Sequence, residues 1–474
     1  MSLMIQRLLC AWLWLCLCAL QTPASAAEQV RLSQASGLGS TQGTAVEPAV
    51  AYNADLNQLL VVWWGRDALL SNDGRFLIAG RRVDATTGQA IGPTIRLDSD
   101  SSGRNAIAPS VVYNATVQEY LVVWSSETIA GHFELYAQRL AGDTLQPLLP
   151  QPRQITEMGG PGDVNHSAFA PALAFNPDRN EYLVAFIGSD SRVGMTDLQR
   201  DVFVQRLAGA TANEIGTDDM RISTASTADG ARQVDPFSKL ALAYSSINRN
   251  YLVVWSADDP GAGLAQAEYE LFAQLIDGAT GVEEGTDDAR LTTVGPAGNP
   301  FFAADQPAVT AEDANFTIAY RADVVQGIKE IHGIRAGGST GLPFGGQSRL
   351  SITTGGAARR PRIAVDTASG ELVVAFQARE VLGSSPVFES EVFVQRSTPS
   401  LQRIGEEERW SVMGPDGNDD FGPGDILDLA ALGASGGYYV AWFGDHDSDG
   451  QVDNEVEIFG RSSVVEALFS DGFE

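Results

Sequence analysis

One phrase recurs along nearly the whole chain and limits what it can fold into. Residues 108–140 read A-P-S-V-V-Y-N-A-T-V-Q-E-Y-L-V-V-W, a loop, then E-L-Y-A-Q-R-L. Aligned on the Tyr-Leu-Val-Val-Trp unit, seven copies stand about sixty residues apart, at 59–63, 120–124, 182–186, 251–255, 316–320, 372–376 and 438–442. A short apolar segment, usually led by proline, precedes each: 48–52, 109–113, 171–175, 240–244, 307–311, 361–365 and a degenerate form at 426–431. Turn residues such as Asn53-Ala54-Asp55 fill the gap between the two and read as hairpins.

A third segment follows each aromatic, at 78–83, 135–140, 202–207, 271–276, 331–336, 392–397 and 458–463. A brief fourth runs basic or polar, apolar, then Ser, Thr or Asp, as in Arg221-Ile222-Ser223. The second segment is apolar on both faces, as a strand sandwiched between neighbouring sheets must be, whereas the third mixes in Gln and Arg. Four short strands per unit at this period predict an all-β fold, a seven-bladed β-propeller with four-stranded blades. The fourth segment is missing after the seventh copy and stands instead at the other end, as Val30-Arg31-Leu32-Ser33. The N-terminal strand is therefore expected to pair into the last blade beside 458–463 and close the ring, which removes an open sheet edge. An open solenoid, the competing architecture, needs polar caps that the sequence does not offer.

Residues 1–27 have the make-up of a secretory signal peptide: Arg7, an apolar run over 8–20, and Ala24-Ser25-Ala26-Ala27 as the cleavage site. A retained anchor is the alternative, and the run is short for a bilayer span. The expected domains are the signal peptide at 1–27, the propeller at 28–463 and a short tail at 464–474. Cys10, Cys16 and Cys18 all lie in the leader, with Leu15 and Leu17 where a lipoprotein signal needs a small residue, so the mature chain is expected to hold no disulfide and no thiolate site. The formal charge of −29 becomes −30 once Arg7 is removed. Such acidity repels phosphate backbones and anionic lipid, so neither nucleic acid nor membrane insertion is expected. A monomer outside the cell is the expectation, with the periplasm as the alternative.

The fuller repeat, an apolar-Trp strand, a polar loop, then Asp/Glu-[VIL]-[FY]-x-Gln-Arg, resembles the blade repeat of bacterial secreted and surface propellers of the TolB-like kind. Gly188-Ser189-Asp190-Ser191-Arg192 followed by Asp201-Val202-Phe203-Val204-Gln205-Arg206 matches best. The likeness rests on structural positions and departs at Ile334, where Gln is the rule, and in the first strand of copy seven. It implies a binding or scaffold module and names no reaction. The terminal A-L-F-S-D-G-F-E is similar to a stretch near the C-terminus of many secreted proteobacterial proteins, over eight residues only.

Candidate chemistry is sparse. Two G-x-S-x-G patterns, at 337–341 and 433–437, fall between expected strands, where glycine serves turns, and no catalytic residue is assigned. His132, His166, His332 and His446 form no close metal-binding pair; His332 replaces the third-strand aromatic and is expected to pack there, with the others in loops. An acid opens the third strand in six copies, Glu134, Asp201, Glu270, Glu330, Glu391 and Glu457. Paired carboxylates can hydrolyse glycosides, but an acid in nearly every blade is more simply structural, pairing with a repeat arginine or capping a turn. Gly216-Thr217-Asp218-Asp219 and Gly285-Thr286-Asp287-Asp288 read as turns before fourth strands. The acid spacing of Asp445, Asp447, Asp449 and Asp453, with Gly450 at the turn, resembles a calcium loop; it lacks the twelfth-position Glu, for which Glu455 or Glu457 would have to substitute. The expected function is a secreted propeller that binds or scaffolds a protein or polysaccharide, with a carbohydrate-active hydrolase or lyase as the alternative. The two part on whether unrepeated His, Glu, Arg and Tyr side chains converge at one mouth of the channel.

Overall fold

The computed structural model describes residues 28–37, 39–98, 104–129, 131–352, 357–381, 388–414, 421–446 and 454–464. Among them, strands form seven four-stranded antiparallel sheets, and the helices are single 3-10 turns at Ser191–Val193 and Gly433–Ser435. Blade 1 comprises Thr44–Asn53, Gln58–Arg66, Leu77–Asp84 and Ala90–Arg96; blade 2, Ala106–Asn114, Glu119–Ile129, His132–Ala141 and Arg153–Gln154. Blade 3 comprises Ala168–Asn176, Glu181–Gly188, Asp201–Ala208 and Glu214–Arg221; blade 4, Ala241–Ser245, Asn250–Ala257, Glu270–Asp277 and Glu283–Arg290. Blade 5 comprises Ala304–Glu312, Asn315–Val325, Ile328–Gly337 and Pro343–Arg349; blade 6, Arg359–Asp366, Glu371–Val381, Phe388–Ser397 and Arg403–Arg409. Blade 7 is made of Gly422–Ala431, Tyr438–Asp445 and Val456–Ser462, completed by Val30–Arg31. This is the seven-bladed propeller that the repeat predicts. No described helix is long and apolar enough to cross a membrane.

Each second strand is buried because neighbouring blades cover both its faces, and Trp124, Trp255 and Trp442 are among the largest fully buried side chains. The aromatic of the second strand stacks on that of the third: Trp255 on Phe272 and Trp442 on Phe459 at 6.5 Å, Phe186 on Phe203 at 5.7 Å. His332 takes this slot against Tyr320, at 6.2 Å, and burial pushes its imidazole down to about 4, so it packs as a neutral ring. Neighbouring blades are tied by buried amides: Asn176 donates to the Gly278 carbonyl at 3.0 Å and Asn250 to that of Gly338 at 2.8 Å.

The outer strands begin further upstream than the sequence suggests. Gly216-Thr217-Asp218-Asp219 and its blade 4 counterpart lie inside the outer strand, as bulges and not as preceding turns. The cause is the repeat glutamine: the Gln205 side-chain oxygen accepts the Asp219 amide at 2.9 Å and Gln274 accepts that of Asp288 at 3.2 Å, so the bulge is hydrogen-bonded from within. Gly216, with φ of 85°, supplies the left-handed residue such a bulge needs.

The ring closes as expected, with Val30 opposite Gly460 and Arg31 opposite Phe459. What pins this strand recurs around the ring. The carboxylate that opens the third strand accepts three donors from the end of the outer strand: an arginine, a Ser or Thr hydroxyl, and a backbone amide just beyond. Glu270 receives Arg290 at 3.1 Å, Thr292 at 2.5 Å and the Val294 amide at 2.5 Å. Glu391 takes the same set from Arg409, Ser411 and Met413; Asp201 takes it from Arg221, Ser223 and Ser226. At the closure Glu457 receives Arg31 at 2.9 Å, Ser33 and the Ala35 amide, and Arg31 also reaches Glu455 at 2.6 Å. Blade 1 lacks the third-strand acid because the charge has changed sides: Leu77 stands in its place, and Asp98, where other blades have Ser or Thr, accepts Arg96 at 2.8 Å.

Blade 2 is the test of this arrangement. Gln154 replaces the arginine and reproduces only half of its bonding, donating to the Thr156 carbonyl at 2.8 Å. Glu134, without a guanidinium, is pushed by burial up to about 8 from the usual 4.5. A carboxyl raised in this way favours the fold while protonated, so its contribution is complete below the unfolded value and is lost as pH rises through 8. Gln154→Arg should therefore raise the melting temperature relative to the parent progressively from pH 4 to pH 9; a pH-independent difference would exclude a titrating Glu134. Arg31→Ala should cost about 3 kcal/mol in guanidinium unfolding, because it strands two buried carboxylates. Arg349→Ala, whose side chain is 45% exposed, should cost less than about 1 kcal/mol.

Candidate functional site

The two ends of the ring differ. Connections from second to third strands, and from each outer strand to the next blade, share one face; apart from the short turns Ile129 to His132 and Val325 to Ile328, most of those described are longer than the tight turns opposite, such as 54–57 and 177–180. The longest described connection, 222–240, lies on the first face and leads into the inner strand of blade 4. Binding groups concentrate on such loops when a rigid scaffold holds them.

A cavity of about 280 Å³ on the ring axis is lined by inner-strand residues of all seven blades. Strand register aligns one residue per blade at its mouth: Glu47, Ala108, Ala170, Lys239, Gln306, Arg360 and Ile426. Five of these, Glu47, Ala108, Ala170, Gln306 and Arg360, have φ between 52° and 55°, each immediately before a proline. The position is thus structurally repeated and chemically varied. The next layer down is Ala49, Ser110, Ala172, Ala241, Ala308, Arg362 and Asp428, small except for one ion pair, Arg362 to Asp428 at 3.0 Å.

Charged side chains meet across the mouth. Lys239 of blade 4 reaches Glu47 of blade 1 at 3.0 Å. Burial works against the Glu47 carboxylate, and the ammonium overrides it, holding the group below its usual range. Arg360 donates to the Phe237 carbonyl at 2.8 Å, its amide donates to Gln306 at 2.8 Å, and its Nε lies 3.6 Å from Asp425. Arg321 grips Asp305, with Nε donating to Oδ1 at 2.6 Å. Asp235 faces this group from the long connection; burial raises it, offset in part by the Phe237 amide, which it accepts at 2.9 Å, with Asp305 adding to the rise. Tyr269, pushed up to about 12 by burial and by Asp258, Asp235 and Asp305, remains a phenol.

Phe237, gripped at both its amide and its carbonyl, is 81% exposed. The same face carries Phe301, 65% exposed, with its amide held by Asn299 at 3.1 Å. Asp235-Pro236-Phe237 and Asn299-Pro300-Phe301 are thus two instances of one presentation device, and together with Arg359-Arg360-Pro361-Arg362 they are the stretches that mark this mouth in the sequence once the register is known. The connection 222–240 also walls a depression of about 380 Å³ with Leu198, Arg200, Gln233 and Pro236.

The residues singled out from sequence lie elsewhere. The six repeat carboxylates are each held within their own blade by the outer strand and do not converge. Ser339 sits in the turn after Gly337, and Ser435 in a 3-10 turn where its hydroxyl bonds the Leu432 carbonyl at 3.0 Å; both are on the face opposite the mouth. His132 opens a third strand instead of lying in a loop, buried near Glu134, and His166 pairs with Asp163 at 3.0 Å. Asp445 ends its strand and accepts the Asn454 amide at 2.6 Å, while Asp447, Asp449 and Asp453 lie outside the described residues. Glu455 and Glu457 are both engaged by Arg31.

No family model and no curated protein sequence matches the chain. Among solved structures it is similar to an ulvan lyase described as a new family of polysaccharide lyase, with a TM-score of 0.52 and 11% identity over 91% of this chain and 95% of that one. It is also similar to the α-L-arabinanase of Penicillium chrysogenum, with a TM-score of 0.46 and 11% identity over 93% and 99%. The seven four-stranded sheets define the class, a seven-bladed propeller, and the likeness to the ulvan lyase is one of fold alone.

The span from Glu47 to Lys239 predicts a measurable strut. A double-mutant cycle with Glu47→Gln and Lys239→Met should give a coupling of about 1 kcal/mol in chemical unfolding, since both side chains are under one-third exposed. Additive effects would mean the pair is not formed in solution.

Proposed function

We propose that the protein is an exported carbohydrate-binding propeller that takes a polysaccharide across the mouth of its central channel. What carries this reading is Phe237, an exposed aromatic residue whose backbone is held at amide and carbonyl beside the mouth where unrepeated charged residues converge. A ring carried on a backbone held in this way can stack on a sugar face without ordering of the backbone, and the polar groups around it can bond hydroxyls. The depression beyond the 222–240 connection extends the surface for a polymer. The leader at 1–27 and the TolB-like repeat support export and a binding role, and the shared fold with a polysaccharide lyase supports carbohydrate over protein as the ligand. Phe237→Ala should weaken binding about tenfold, read by isothermal calorimetry against a polysaccharide panel. Equal affinity for parent and variant would overturn the reading.

A second reading, carbohydrate cleavage, is favoured by one observation: half-buried Asp235, its carboxyl raised by burial, stands near Asp305, which is paired with Arg321. Two carboxyls held in unlike environments are the kind of pairing acid–base cleavage needs. Asp235→Asn should then abolish release of chain ends from a bound polysaccharide while sparing binding; no release by the parent would dismiss it. Calcium at Asp445, Asp447, Asp449 and Asp453 is a separate structural proposal. Calorimetry should detect a site that disappears in Asp447→Ala plus Asp449→Ala, with calcium raising the melting temperature of the parent alone.

A further inference from the structure

Resting on the binding reading, we infer that the polysaccharide is an acidic one, and that Arg359 receives its anionic group, a carboxylate or a sulfate ester. Acidic residues outnumber basic ones 60 to 31 in this chain, yet Lys239, Arg321, Arg359, Arg360 and Arg362 gather around one channel mouth. Most of these cations have a carboxylate in contact: Lys239 has Glu47, Arg321 has Asp305 and Arg362 has Asp428. Arg360 has only Asp425, at 3.6 Å, and its buried Nε has no hydrogen-bond partner.

Arg359 differs from them all. Among the described residues its guanidinium makes no ion pair and no hydrogen bond, although the residue is half-buried, and its nitrogens are not sealed from solvent. Burial lowers its pKa; Asp425 opposes this, and Arg379, Arg321 and Arg360 add to it. A cation partly stripped of water beside other cations is an unfavourable arrangement in the free protein, and an incoming anion relieves it. A guanidinium also offers paired N–H groups that fit carboxylate and sulfate oxygens two at a time. With Phe237 held by neighbouring Arg360, the mouth presents an aromatic face for a sugar ring and a cation for its charge.

The test compares a uronan such as polygalacturonate with the same chain after carboxyl reduction, and a sulfated galactan with its desulfated form, on the full mature protein. The acidic form of one pair should bind at least about tenfold tighter than its neutral form, and the pair that shows this identifies the anion as carboxylate or sulfate. Arg359→Gln should remove the preference and leave the neutral chain's affinity as it was, whereas Arg403→Gln, on an exposed outer strand, should change neither. If Arg359→Gln fails to fold, Arg359→Lys keeps the charge without the fork and should reduce the preference at least threefold. Equal affinity for acidic and neutral forms, or a preference that survives both Arg359 variants, overturns this inference and leaves the binding reading standing. Binding of none of the four chains overturns both.

Discussion

The fold depends on the buried carboxylate that fastens the outer strand of each blade. The three inner strands are held by ordinary means, apolar side chains packed between sheets, but the outer strands have little to bury: in Glu283–Arg290 and Pro343–Arg349 most residues are exposed. Hydrophobic burial cannot hold such a strand, and its acidic surface repels itself. An ionised or protonated carboxyl that accepts an arginine, a hydroxyl and an amide at one point supplies a directional lock where area is lacking. In blade 7 the dependence is greatest, because the whole outer strand is Val30–Arg31 and one guanidinium serves both Glu455 and Glu457.

This explains which parts of the structure can be read from the sequence. Period, blade number, strand identity and closure were legible because they follow from apolar runs and from the displaced fourth segment, both local patterns. The role of the repeat acids was legible as well, since a residue fixed in register with an arginine some twenty positions later implies a pairing between adjacent strands. The bulges were not: Gly216-Thr217-Asp218-Asp219 has turn composition, and only the buried Gln205 across the sheet decides that it stays in the strand. His132 was misplaced for a similar reason, the strand extending beyond its apolar stretch.

The mouth was illegible for a different reason. Glu47, Lys239, Gln306 and Arg360 occupy one register position in four blades, but a varied residue at a repeated position looks like erosion of the repeat until the register is known. Lys239 even hides the repeat, standing one place ahead of the leucine that replaces the usual proline. Partners such as Asp305 with Arg321, or Phe237 with Arg360, are brought together by the ring and not by sequence proximity. Conserved geometry with varied chemistry is what a repeat scaffold offers a binding site: the backbone fixes where seven side chains point, and substitution at that layer changes the ligand without disturbing the blades.

The same separation reconciles an acidic protein with a mouth at which cations gather, most of them paired with carboxylates. At physiological ionic strength charges are screened beyond about 8 Å, so the carboxylates of the outer strands, at the rim of the ring, contribute little to the field at its axis. The local field is set by the mouth residues, where low-dielectric walls strengthen each contact. An anionic chain would then approach a molecule that repels it as a whole and bind through short-range contacts at one place. Such a balance slows association without weakening the bound state, and it suppresses attachment of polyanions anywhere else on the surface. The acidity would thereby act as a selectivity device for such a ligand, favouring the mouth, where Arg359 stands beside other cations without an ion pair of its own among the described residues.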